Sequence, residues 1–178
     1  MKFIETSLNG AYVIELEPTF DHRGFLARSW CAEEFARQGL ASTFVQCNTS
    51  YNLHKGTLRG LHYQAAPYAE AKLIRCTRGS VFDVLVDLRK ASETYLKWFS
   101  VELTQDNLKM LYVPEGMAHG FQTLQDNTEL FYQMSQPYKA ECARGVRWND
   151  PQLNINWPLE KMILSERDQA LPFCLECE

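Results

Sequence analysis

The chain has no apolar stretch approaching the roughly 20 residues that a bilayer-spanning helix requires. Its opening, Met1-Lys-Phe-Ile-Glu-Thr6, lacks the apolar core of an export leader, so a cytoplasmic protein without a membrane partner is expected. A basic field is also missing. Eighteen lysines and arginines stand against 22 aspartates and glutamates, a net charge of −4, and the cations are scattered rather than blocked. That argues against a polyanion-binding surface, and so against a nucleic-acid partner. Six cysteines in 178 residues do not make a disulfide scaffold. Cys31, Cys47, Cys76 and Cys142 stand alone and read as packing thiols. Cys174-Leu-Glu-Cys177 has metal or redox spacing, but a zinc site needs two further ligands and no neighbouring segment supplies them. No repeat, low-complexity run or linker divides the chain, so a single domain over residues 1–178 is expected.

What is present is a series of short strand signals separated by turn residues. They fall at residues 11–16, 25–30, 43–49, 58–64, 72–77, 81–88, 95–103, 109–113, 120–124 and 129–133. Arg78-Gly-Ser80 and Gln125-Asp-Asn127 are compact enough for hairpin turns. One early helix is expected over residues 31–38, with Ser29 as N-cap, Glu33 and Arg37 four apart, and Gly39 to end it. After Pro151 the pattern becomes irregular, with a short helix around residues 165–169. Many short, evenly spaced strands fit an antiparallel barrel, a jelly roll or a sandwich, and periodicity leaves these open.

Two of the four histidines stand out. His62 lies in Gly56-Thr-Leu-Arg-Gly-Leu-His-Tyr-Gln64, and His119 in Tyr112-Val-Pro-Glu-Gly-Met-Ala-His-Gly-Phe-Gln122. Each sits beside strand-forming residues after a glycine that permits a tight turn. Two such histidines on separate strands can face one cavity, and imidazole moves protons near neutral pH. A histidine on an apolar strand can equally be a satisfied core residue. His22 and His54 fall in turns and need no role.

These runs, with Lys72-Leu-Ile-Arg75, Val81-Phe-Asp-Val-Leu-Val-Asp-Leu-Arg89, Arg144-Gly-Val-Arg-Trp-Asn-Asp-Pro151 and Ser165-Glu-Arg-Asp168, resemble one pattern. It is that of the dTDP-4-dehydrorhamnose 3,5-epimerases of the cupin superfamily. Asp21-His-Arg-Gly-Phe25 and Val45-Gln-Cys-Asn48 extend the likeness toward the start, so it covers nearly the whole chain. The resemblance implies an all-β, cupin-type jelly-roll barrel with one or two short helices. It also implies a homodimer in which the N-terminal strands help build the partner's site. Many cupins hold a metal through His-x-His and a distant histidine. Here Leu61-His-Tyr63 has one imidazole, and with His119 that makes a poor closed site, so neither metal nor other cofactor is expected.

The implied substrate is a nucleotide-diphosphate-linked 4-keto-6-deoxyhexose. Its C4 ketone acidifies the hydrogens on C3 and C5, because the carbanion delocalises as an enolate. By resemblance His62 is the base, Asp168 the carboxylate paired with it, Tyr132 the acid on the opposite face, and Lys72 the cation near the keto oxygen. Asp168 also suits the first turn of a helix begun by Ser165, Tyr132 suits a core strand, and Lys72 a rim. Arg23, Arg59 and Arg167 are candidates for the diphosphate, since a guanidinium bonds phosphate bidentately. Phe25, Gln46, Asn48 and His119 join them as substrate-binding candidates, and Tyr138 matches an aromatic that stacks on the base.

Several positions depart from the pattern. Arg28 stands where glutamate is usual, Cys47 where aspartate is common, and Ala143 where glutamate is frequent. Tyr68 and Ala71 replace histidine and glycine before Lys72, and Arg167 replaces the lysine before Asp168. Epimerisation at C3 and C5 is the expected reaction, with C3-only epimerisation, a non-catalytic nucleotide-sugar-binding cupin and a metal-dependent cupin enzyme as alternatives.

Overall fold

A computed structural model describes residues 1–174, so Cys177 and any pairing it makes lie outside the described residues. In chain order the elements are β1 (Lys2–Glu5), β2 (Tyr12–Glu15), β3 (Thr19–Asp21), β4 (Gly24–Leu26), α1 (Ala32–Arg37), β5 (Gln46–Asn52), β6 (Leu58–Gln64) and β7 (Lys72–Arg78). They continue with β8 (Ser80–Asp87), β9 (Trp98–Thr104), β10 (Lys109–Val113), β11 (Met117–Thr123), β12 (Thr128–Met134), β13 (Ala143–Gly145) and α2 (Glu166–Gln169). Among the described residues no helix is long and apolar enough to cross a membrane.

The strands form three open sheets: β1-β2-β10-β7-β12-β5, β13-β6-β11-β8-β9, and the isolated hairpin β3-β4. The expected all-β, closed jelly-roll barrel is therefore corrected. Among the described residues no ladder joins the edges of the two large sheets, and two α-helices complete a mixed fold. Strand periodicity reports which face of a strand is buried but not which edge it pairs with, so closure was beyond its reach.

The period-2 alternation of a strand sends successive side chains to opposite faces of its sheet. Ile74, Leu111 and Leu130 from the larger sheet meet Val81, Leu85, Leu103 and Phe121 from the smaller one, forming the core between the sheets. Cys76 lies in that layer, where burial pushes its thiol up to about 11, as suits a packing residue. The alternate residues Leu73, Met110 and Tyr112 face outward and are covered by Phe35 of α1. On the other sheet Val84, Val86 and Ala118 are covered by Val146 and Leu153 of the irregular C-terminal segment. The central strands of both sheets are thus covered on both faces, and each fully buried aliphatic side chain contributes about 1.5–3 kcal/mol.

Element ends differ from expectation for local reasons. Helix α1 begins after Cys31, and no side chain caps it, so Ser29 is not the N-cap; Gly39 does end it, at φ +70°. The strand expected from Tyr95 starts only at Trp98, because Leu96 takes a left-handed φ of 58°. Strands β6 and β11 approach so closely that a Cβ on Gly60 would lie 2.6 Å from the Gly120 backbone. The ladder shifts register between His119 and Phe121. Glycines here let the two histidine-bearing strands cross, with His119 directly opposite His62.

Candidate active site

At one end of the inter-sheet space lies a cavity of about 240 Å³, lined from both large sheets. His62 and Gln64 come from β6, Lys72 from β7, Asn48 from β5, and Tyr132 with Met134 from β12. Tyr138, Arg144 and Arg167 close the rim. Three cations and an aromatic ring around a polar hollow suit an anionic ligand with a planar group.

His62 Nε2 lies 2.6 Å from Asp168 Oδ1, with the histidine side chain 36% exposed and the aspartate 6%. Ser165 Oγ accepts a hydrogen bond from the Asp168 backbone N–H at 3.1 Å, capping α2. The two sequence readings of Asp168 are therefore compatible: the cap holds the short helix, and the helix aims the carboxylate at His62. Burial pushes that carboxyl upward. The His62 hydrogen bond and charge, with bonds from Ser165 and the Gly60 backbone, outweigh it and hold the group below the usual carboxylate range.

The second histidine has its own carboxylate. His119 Nε2 lies 2.8 Å from Asp83 Oδ1, with the histidine side chain 12% exposed and the aspartate fully buried. His119 does not line the cavity among the described residues. Desolvation pushes the Asp83 carboxyl up against the opposing pull of His119 and Lys72, and its Oδ2 is a buried atom without a partner among the described residues.

Lys72 is buried, its Nζ 2.9 Å from Glu70 Oε1. Tyr132 is half-buried and packs against the inter-sheet core while lining the cavity. Gln46 joins the site indirectly, donating to Asn48 Oδ1 at 3.2 Å and accepting from the Tyr138 backbone N–H at 2.9 Å. Arg59 is exposed and donates to Asn52 Oδ1 at 2.7 Å, away from the cavity lining. Arg23 and Phe25 sit on the β3-β4 hairpin, lining a separate, open cavity with Thr19 and Leu26. Within one chain the hairpin does not bring them to His62. Among the described residues no group of three His, Cys, Asp or Glu side chains is disposed to hold a metal.

Sequence reasoning missed Gln64, Glu70, Met134 and Arg144. Two had a legible signal: Gln64 is two residues from His62 on β6, and Met134 two from Tyr132 on β12, the spacing of one strand face, whereas Glu70 precedes β7.

The dTDP-4-dehydrorhamnose 3,5-epimerase family model matches residues 5–176. A dTDP-4-dehydrorhamnose 3,5-epimerase of Sinorhizobium fredii is 43% identical over 178 residues, covering 99% of this chain and 91% of its own. The crystal structure of the Elizabethkingia anophelis dTDP-4-dehydrorhamnose 3,5-epimerase superposes with a TM-score of 0.97 at 39% identity, covering 99% of this chain and 98% of that one. A Legionella pneumophila dTDP-6-deoxy-D-glucose-3,5-epimerase in complex with dTDP-4-keto-L-rhamnose gives 0.94 at 36% identity, covering 99% and 94%. With the dyad, the facing tyrosine and the cationic rim at one end of this fold, the chain belongs to the dTDP-4-dehydrorhamnose 3,5-epimerase family.

Proposed function

We propose that the cavity is where a dTDP-linked 4-keto-6-deoxyhexose is epimerised at C3 and C5, in deoxysugar biosynthesis. The chain is an isomerase of this family, and the reading of its residues rests on one observation. His62, oriented by Asp168, and Tyr132 enter the same cavity from opposite sheets.

With Nε2–H donated to the Asp168 carboxylate, the lone pair lies on Nδ1, and the carboxylate steadies the imidazolium that forms. His62 breaks a C–H bond beside the ketone, and its electron pair moves onto the C4 oxygen as an enolate. The Lys72 ammonium stabilises that oxyanion, a charge absent in the ground state, so its effect falls on the rate rather than on binding. Tyr132 then supplies a proton to the same carbon from the other face, inverting it. Proton exchange with solvent then returns His62 to its neutral form and Tyr132 to its phenol, and repetition at the second carbon completes the double epimerisation. Arg167 and Arg144 bind the diphosphate, and Tyr138 stacks on the base.

The active unit is a homodimer. Among the described residues hairpin β3-β4 pairs with no other strand, and it exposes Phe20, Phe25 and Leu26, the last at 81%. Laid on a second copy, it buries this apolar surface and carries Arg23 and Phe25 to that copy's cavity.

Incubation of the purified protein with dTDP-4-keto-6-deoxyglucose in deuterium oxide tests the reaction. Two deuterons entering, located at C3 and C5 by NMR with inversion at both, is the expected result. Label at C3 alone assigns a single-centre epimerase, and no label at either carbon overturns the proposal.

A further inference from the structure

We propose that Glu70 is a positioning residue for Lys72, and that it couples this cation to the loop bearing Tyr138. The inference rests on the proposed role of Lys72 as the enolate's cation. Glu70 is among the few carboxylates taken out of water in this protein: its side chain is 3% exposed, and that of Lys72 10%. Its two oxygens are divided. Oε1 lies 2.9 Å from Lys72 Nζ, and Oε2 accepts from Gln64 Nε2 at 2.7 Å. The other Gln64 N–H is shared between the carbonyls of Tyr68 at 3.0 Å and Pro137 at 3.3 Å, and its Oε1 accepts the Lys139 backbone N–H at 2.6 Å. One chain of bonds thus runs from the cavity cation, through Glu70 and Gln64, to both residues flanking Tyr138.

Geometry explains why a carboxylate is needed. An ammonium carries three donors, so pairing with one oxygen leaves donors for a ligand in the cavity. An isolated lysine on a four-carbon stem is mobile, whereas a buried partner fixes its position. A glutamine at position 70 has a single acceptor oxygen. Facing it to Gln64 points its own NH₂ at the ammonium, and facing it to the ammonium opposes two NH₂ groups. Glu70→Gln therefore releases Lys72 while keeping shape.

The test is a cycle of Glu70→Gln and Lys72→Met, read by deuterium incorporation into dTDP-4-keto-6-deoxyglucose and by the ¹⁵Nζ resonance of Lys72. Alone, Glu70→Gln lowers kcat about 10-fold with KM changed less than about threefold, since the displaced charge acts on the transition state. In the Lys72→Met background the same substitution changes kcat less than about twofold, because its effect passes through the lysine. The Nζ signal, slowed in exchange by its buried partner, is lost in Glu70→Gln and kept in Glu70→Asp, which retains the charge. An equal loss in both backgrounds marks a structural role and overturns the proposal, as does an unchanged rate and Nζ signal in Glu70→Gln. If the glutamine variant does not fold, the Glu70→Ala cycle with Lys72→Met, which removes the carboxylate outright, reads the same coupling. Absence of exchange by the wild-type protein overturns the proposed reaction instead, and the Nζ signal still decides whether Glu70 holds Lys72.

Discussion

Two histidine–carboxylate pairs lie on facing positions of adjacent strands, and they differ in almost everything except distance. His62–Asp168 measures 2.6 Å and His119–Asp83 2.8 Å. The first pair opens onto the cavity, and its carboxylate sits on a short helix that can be aimed independently of the sheet. The second is nearly enclosed, its histidine 12% exposed, with a fully buried aspartate on β8 that feels Lys72 and whose outer oxygen has no partner among the described residues. Exposure decides the chemistry available. A pair open to a ligand can exchange a proton with it, whereas a sealed pair offsets its own desolvation and contributes mainly to the fold. The opposite displacements of the two aspartates, Asp168 downward and Asp83 upward, express this difference.

The largest expected effect separates the pairs by function. His62→Ala lowers deuterium exchange at both sugar carbons by about 10²–10⁴-fold, the usual contribution of a general base. The variant still folds, because the histidine side chain is a third exposed, but its melting temperature falls, since the buried Asp168 carboxylate loses its partner. Near-wild-type exchange in a folded variant removes His62 as the base. Next is Asp83→Ala, which leaves His119 in a buried site without its carboxylate. Removing one partner of such a pair costs about 3–5 kcal/mol, read as a lower denaturant midpoint. A variant as stable as the wild type would break the comparison by showing the sealed pair to be dispensable.

Tyr132→Phe is expected to cost about 10²-fold in inversion while solvent label still enters through His62 and returns with its original stereochemistry. The ring is kept, so packing against the inter-sheet core is preserved. Parallel loss of label entry and inversion would make Tyr132 a core residue only.

Much of this comparison was legible in the sequence, and what was not has physical reasons. His62 and His119 were visible because each follows a glycine in a strand-forming run, and one of those glycines, Gly60, is where β6 approaches Gly120 of β11 most closely. Asp168 was visible through the family pattern, although spacing alone suggested only a helix cap. Asp83 was not read as a partner, since an aspartate within Val81-Phe-Asp-Val-Leu-Val-Asp87 reads as an outward position until the pairing with β11 places it opposite Phe121. Sheet closure failed for the same reason: alternation fixes the buried face and is silent about edges. Arg23 and Phe25 lie on a hairpin apart from His62 in the single chain, and alternation along a strand carries no signal of contacts between copies.

The smallest expected effect is also the most direct reading of the contrast, because the two aspartates link stability to pH with opposite signs. Asp168 has a folded pKa below its unfolded value, so the folded chain binds fewer protons in that window. Its contribution is present above the ordinary aspartate range and is lost as pH falls through the depressed value. Asp83 has a folded pKa above its unfolded value, so the folded chain holds its proton longer. Its contribution is fully present below the ordinary aspartate range and is lost as pH rises through the elevated value. Asparagine at either position removes that group's titration with little change in size. Relative to wild type, Asp168→Asn should therefore lose more stability at neutral pH than in acid. Asp83→Asn should lose more in acid and recover, or exceed the wild type, as pH rises. Urea midpoints of the three proteins across the acidic range measure both slopes. Parallel slopes would mean that burial does not distinguish the two carboxylates, and the division between an open, working pair and a sealed, structural one would fall with it.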